Sequence, residues 1–249
     1  MNNNKILLFL FILSVGCAKG PSIAFQDIEI SEKTLDACNE VMCPTIHLSY
    51  PQAEGDFAPI INLEIQSAVI ETLSIGEEGV NAAKTIGEAI EDFIAIYQEH
   101  KAEYFDMTAE YEAGVDIYET FRRDEVLCFQ QDYFKFTGGA HGYGGTSFIL
   151  FDLESGQPIH FSDLVTDLTE LTTIAEKSFR KEHNLSENDN INSNGFLFEE
   201  DRFQLPEAIG FDENDLVLIY NPYEIAPYAD GQIEVRVPLK KIEHYLRIQ

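Results

Sequence analysis

From Phe105 to Ile117 the chain alternates. Phe105, Met107, Ala109, Tyr111, Ala113, Val115 and Ile117 occupy odd positions, and Asp106, Thr108, Glu110, Glu112 and Asp116 occupy even ones. A two-residue period sends successive side chains to opposite faces. This stretch therefore predicts a half-buried antiparallel strand with one apolar and one wet face. Its length predicts a bend or bulge, expected near Gly114. Strand-like runs at Glu125–Phe136 and Thr146–Leu153 extend the pattern into a sheet.

Between those runs lies Thr137–Thr146, TGGAHGYGGT, with glycines at 138, 139, 142, 144 and 145. Glycine reaches positive φ without steric penalty and lets other groups approach the backbone. The segment reads as a connection between two strands that holds up His141 and Tyr143. On spacing alone, a tight or bulged hairpin accounts for it.

Elsewhere the period changes to that of helices. Ile61, Ile65, Ala68, Val69 and Thr72 share one face, as do Ile86, Ile90, Phe93, Ile94 and Tyr97. A third helix follows Asp167, with Glu170 completing a capping-box pattern and Leu168, Leu171, Ile174, Ala175 and Phe179 as its apolar face. Thr45–Tyr50 reads as a strand stopped by Pro51, and Leu185–Gly195 as an exposed acidic loop. Phe203–Leu205, Leu216–Tyr220 and Gln232–Val237 read as short strands, with a last helical turn over Leu239–Leu246. The expected class is α+β, mainly antiparallel sheet with packed helices.

The first residues resemble a targeting segment. Lys5 precedes an unbroken apolar run, Ile6–Leu13, too short to span a membrane comfortably. The run ends in Ser14-Val15-Gly16-Cys17, which resembles a bacterial lipoprotein signal, with Ser14 where leucine is usual. The expected division is a signal peptide over 1–16, then a lipid-anchored tether over 17–44 beginning at Cys17. Ordinary secretion is the alternative, and both place the chain outside the cytoplasm. In that compartment Cys38 and Cys43, five apart, are expected to pair as a disulfide, with two free thiols as the alternative. Cys128, between Leu127 and Phe129, reads as a buried unpaired thiol.

The chain carries 44 acidic against 16 basic residues, a formal net charge of -28. A polyanion such as nucleic acid would be repelled. High solubility and a basic partner fit this charge, as does a simply acidic solvated surface. No GxSxG, HExxH or HxH pattern supplies His141 or His160 with catalytic companions. The glycine loop lacks the GxxxxGK[ST] of a phosphate-binding loop, and Asp212-Glu213-Asn214-Asp215 lacks the calcium-loop pattern. No catalytic residue, metal site or cofactor is expected.

Two stretches read together are more specific: Phe136–Leu164, FTGGAHGYGGTSFILFDLESGQPIHFSDL, and Tyr220–Ile242, YNPYEIAPYADGQIEVRVPLKKI. They resemble the RsiV/PdaC-like family of extracytoplasmic bacterial domains. That family includes the sensor region of a lysozyme-responsive anti-sigma factor and the non-catalytic N-terminal region of a peptidoglycan deacetylase. The resemblance implies a two-part unit, with an N-terminal part over 45–135 and a C-terminal RsiV-like part over 136–249. It implies a tethered, non-enzymatic binding module for lysozyme or another basic cell-wall-active protein, anchored to the membrane by its lipid. The alternative is a peptidoglycan- or glycan-binding or cell-wall-acting accessory domain, hydrolytic in the extreme case. The motifs point to Gly139, Ala140, His141 and Tyr143 on one loop and Pro222, Tyr223, Glu224 and Tyr228 on the other as the ligand-binding face. Tyrosines on pre-shaped loops make good anchors. The competing reading places Tyr223 and Tyr228 in the core and has His141 hold the glycine loop through backbone hydrogen bonds.

Overall fold

A computed structural model describes residues 21–39, 42–76, 83–104, 108–123 and 125–247. The signal segment, Cys17, and Phe105 and Met107 of the alternating run lie outside the described residues.

Six strands form one sheet in sequence order: β1 (Ile23–Ser31), β2 (Thr45–Gly55), β3 (Glu112–Arg123), β4 (Val126–Phe136), β5 (Tyr143–Asp152) and the short β6 (Pro158–Ile159). All neighbours are antiparallel except β2 and β3, which run parallel across Thr45–Ser49 and Glu112–Asp116. A parallel pair needs a long crossover, and the helices α1 (Ala58–Leu73) and α2 (Ile86–Glu103) supply it. Downstream, α3 (Leu168–Glu182) precedes a separate antiparallel sheet of β7 (Ala208–Phe211), β8 (Asp215–Tyr220) and β9 (Ile233–Pro238). The architecture is α+β, mostly antiparallel, with packed helices.

The alternation predicts the wet and dry faces of β3. Tyr111, Ala113, Val115 and Ile117 are buried, and Glu112 and Asp116 are exposed. The irregularity, however, falls at Glu119/Phe121 and not at Gly114, which stays in register with Phe134 and His47. Other expectations change with tertiary context. Ile23–Ser31, expected within a tether, is a full strand paired along β2. Pro51 does not end β2. The β3 pairing stops at Ser49, so a residue without an N–H sits on the vacated side of the strand. Two residues on, the Asn62 side chain fills that side by exchanging hydrogen bonds with Ala53, at 2.7 and 3.0 Å. Phe203–Leu205, next to Pro206, is not a strand. Asp167 caps α3 through Glu170 N–H at 3.0 Å, but Leu168 points outward. The acidic loop after α3 is pinned by buried Leu185 and Ile191.

Residues Val126 to Phe129 are all buried because β4 is covered on both faces. Leu127 and Phe129 join the core under α1 and α2, with Ile61, Ile65 and Phe93. Val126 and Cys128 join a second core with Phe179 of α3, Tyr220 and Val235. Cys128 is unpaired, and burial pushes its thiol up to about 11, so it is an inert packing residue. Cys38 and Cys43 form the expected disulfide, with Cα atoms 5.5 Å apart.

His183, at the C-terminus of α3, sits between the rings of Phe179 and Phe196, 4.4 and 4.9 Å away centre to centre. Its buried Nε2 has no hydrogen-bond partner among the described residues. Burial lowers its pKa below the ordinary 6.5, with Glu182 opposing the shift. The native state therefore binds fewer protons at this residue than the unfolded chain does as pH falls through 6.5. Stability contributed here is complete above that pH and is lost below it. We expect chemical denaturation midpoints of the native protein to fall between pH 7 and 5, and the fall to be smaller in His183→Phe. Equal slopes in both proteins would refute this assignment.

Candidate functional site

The free edge of β5 opposite β4 is not paired at Thr146. Instead, the Asn221 side chain completes it. Thr146 N–H donates to Asn221 Oδ1 at 2.8 Å, and Asn221 Nδ2 donates to the Thr146 carbonyl at 2.9 Å. These two bonds fix the orientation of the amide, since a backbone N–H must meet an oxygen. Gln232 Nε2 then donates to both Asn221 Oδ1 and Thr146 Oγ1, each at 2.9 Å. Thr146 Oγ1 donates to Asp132 Oδ1 at 2.6 Å. The chain from Asn221 onward is thereby clasped to the six-stranded sheet. The clasp requires close approach. A Cβ at Gly145 would stand 2.7 Å from Tyr133 Oη and 2.8 Å from Asn221 Oδ1.

This clasp brings the two motifs together. The turn after Phe136 uses Gly138 and Gly139 at φ of 95° and 97°, which L side chains rarely adopt. His141 stacks on Tyr228 with ring centres 4.1 Å apart and planes at 23°. The Tyr223 ring lies 6.3 Å from His141 and 5.6 Å from Tyr228. His141 Nδ1 lies 2.8 Å from the Gly142 carbonyl, and Nε2 lies 3.2 Å from Tyr223 Oη. A carbonyl only accepts, so Nδ1 carries the proton, and in the neutral ring Nε2 accepts from the tyrosine hydroxyl. The backbone role weighed for His141 is therefore real, and it coexists with a bridge between the loops.

Tyr223 is 57% exposed, and Tyr228 is half-buried, so neither is a core residue. Tyr223 also holds a positive φ of 75°, a conformation that costs an L residue about 1–2 kcal/mol. The turn is maintained by Tyr223 N–H to the Ala226 carbonyl and Glu224 N–H to the Asn221 carbonyl. Gly139 and Ala140 stand exposed at the tip of the glycine loop. Tyr143, exposed at the start of β5, makes no ring contact with the other three aromatics. Glu224 is not free to meet a ligand with both oxygens. They accept from Glu207 N–H at 3.0 Å and Asn221 N–H at 2.9 Å, while burial raises its pKa. Its place is under the loop, and Pro222 is half-buried beside it.

Asn221, Thr146, Gln232 and Asp132 escaped sequence reasoning. Each is an ordinary polar residue, and only the fold makes them neighbours over separations of 75 and 86 positions. Among the described residues, no three His, Cys, Asp or Glu side chains gather in a group suited to a metal ion.

Residues 38–143 match the family model described as Deacetylase PdaC, and residues 161–240 match the model described as Protein of unknown function (DUF3298). The expected kinship with the RsiV/PdaC-like domain is thus shown. Two crystal structures share the fold. One, a member of the DUF3298 family from Bacteroides fragilis, is 20% identical. The match covers 91% of this chain and 94% of that one, with a TM-score of 0.65. The other, a DUF3298 family protein from Pseudomonas aeruginosa, is 16% identical. That match covers 92% and 95%, with a TM-score of 0.58. No curated protein matches the chain.

Removing the Asn221 side chain would leave the buried N–H and carbonyl of Thr146 without partners. Asn221→Ala is expected to lower stability by about 2–4 kcal/mol in denaturant titrations. A loss below about 0.5 kcal/mol would show that water or a shifted strand replaces the clasp.

Proposed function

We propose that this chain, a PdaC-type region joined to a DUF3298 region, is a non-enzymatic binding module of the bacterial envelope. Its partner in this reading is a basic cell-wall-active protein such as lysozyme. The observation that carries the proposal is Tyr223. It is more than half exposed, it holds a backbone conformation that disfavours it, and its hydroxyl meets His141 across the two loops. Neither burial nor turn geometry selects a tyrosine there, whereas a binding face does. The loops that present it are fixed before any partner arrives, which lowers the ordering cost of association. Opposite charge adds direction. A net charge of -28 steers basic proteins and repels acidic ones.

Titration with lysozymes of several types at two salt concentrations tests the proposal. We expect binding whose on-rate falls as ionic strength rises. Tyr223→Ala should weaken it by about 1–3 kcal/mol and leave the protein folded with only a small drop in melting temperature, because the lost contacts lie on an exposed ring. Absence of binding to every lysozyme would remove this partner class.

The second part of the proposal is the anchor. Cys17 follows the apolar run after Ser14-Val15-Gly16, and acylation there would hold the module at the membrane surface. Metabolic labelling with a fatty-acid probe should mark the wild type and not Cys17→Ala. Equal labelling of both, or of neither, would refute it.

A further inference from the structure

Beside Tyr228 and below the clasp lies an open groove of about 560 Å3, between β4–β5 and the start of β9. Such a volume falls within the range of about 300–1,000 Å3 typical of small-molecule sites. Tyr133, Phe134 and Tyr228 supply aromatic surface to its walls, while Gln130, Gln232 and Glu234 supply polar groups.

The hydrogen bonds of those polar residues leave the groove rich in acceptors. Gln130 Nε2 faces the Asp132 carboxylate, donating to its two oxygens at 3.0 and 3.1 Å. Since a carboxylate accepts only, the amide cannot be reversed, and Gln130 Oε1 has no partner among the described residues. Gln232 Nε2 is likewise spent on Thr146 Oγ1 and Asn221 Oδ1, and Asn221 is oriented by a backbone N–H. Gln232 Oε1 is therefore also left open. Glu234 uses Oε1 on Arg236 and keeps Oε2. Asp132, fully engaged by Gln130, Thr146 and Tyr118, adds negative charge without open capacity.

The complementary ligand has many donors, an apolar face to lie on an aromatic ring, and no negative charge. A polyol ring has all three: hydroxyl donors around its rim and C–H groups on its faces. From this lining we infer that the groove binds a short uncharged saccharide. This site is separate from the protein-binding face proposed above, sharing only Tyr228 and the adjacent Pro222, and does not depend on that reading.

Isothermal titration of the purified protein with chitotriose and cellotriose tests the inference, with trigalacturonate and argininamide as charged comparators. The expected result is binding of at least one uncharged trisaccharide, little changed between low and high salt, and none of trigalacturonate. Gln130→Ala should weaken that binding at least tenfold. A second readout does not depend on the variant folding. In isotope-labelled wild-type protein, the trisaccharide should shift the amide resonances of Gly144, Gly145 and Gly231, which line the groove. No binding of either uncharged trisaccharide would overturn the inference, as would shifts confined to other parts of the fold. So would salt-sensitive binding of argininamide alone, which would give the groove to a cationic side chain. None of these experiments contains a protein partner, so their failure would leave the lysozyme proposal untouched.

Discussion

One asparagine side chain takes the place of a missing strand. At Thr146 the edge of β5 exposes a backbone N–H and carbonyl in a site that is 3% accessible. Left bare, such groups cost about 1–3 kcal/mol each. Asn221 satisfies both, and in doing so it sets the position at which the chain leaves β8 and enters the Pro222–Tyr228 turn. Gly145 is the steric condition for this contact, and Gln232 locks it from the far side. The meeting of His141 with Tyr223 and Tyr228 follows from that placement.

The same region joins the two family segments. The PdaC match ends at residue 143 and the DUF3298 match begins at 161, so most of β5 lies between them. Yet the expected boundary at 135/136 falls within a continuous sheet, because β4 and β5 pair along their length. β4 serves both halves, with Leu127 and Phe129 facing the helical core and Val126 and Cys128 facing the core beneath α3. Neither half has a complete hydrophobic core without that strand. Phe148 of β5 adds a further tie, lying so close to Gly210 of β7 that a Cβ there would stand 2.0 Å from its ring.

Much of the frame was legible in the sequence because it rests on local periodicity. The odd residues of Tyr111–Ile117 are buried, all three helices lie where their apolar spacing puts them, and Asp167 caps α3. The failures share one cause. Ile23–Ser31 lacks a clean period and becomes a strand only because β2 offers it an edge. Pro51 is tolerated because β3 has already diverged. Leu168 has the right spacing, but its side chain stays 51% exposed. At the site, the GGAHG and PYEIAPY motifs named two loops that the fold brings into contact. Their meeting was not legible, and Glu224, which looked like a contact residue, supports the turn from below. Long-range hydrogen bonds between ordinary polar residues leave no periodic trace.

The two kinds of motif residue differ in what folding demands of them. At Gly145 a methyl group would collide with Asn221 and Tyr133, so folding alone dictates glycine. At Tyr223 the balance is nearly neutral. Its positive φ costs about 1–2 kcal/mol, while its partly solvated ring contacts with His141 and Tyr228 and its exposed 3.2 Å hydroxyl bond to His141 together return an amount of about the same size. Glycine would avoid the cost and alanine would lose little. Folding therefore does not dictate the tyrosine, and its side chain stands outward beside a histidine whose ring nitrogens are both directed within the two loops. A residue that stability does not select, held at fixed orientation on a rigid support, is what a recognition surface requires. The scaffold explains how Tyr223 is held, and in the proposed function a partner is the reason for a tyrosine at that position.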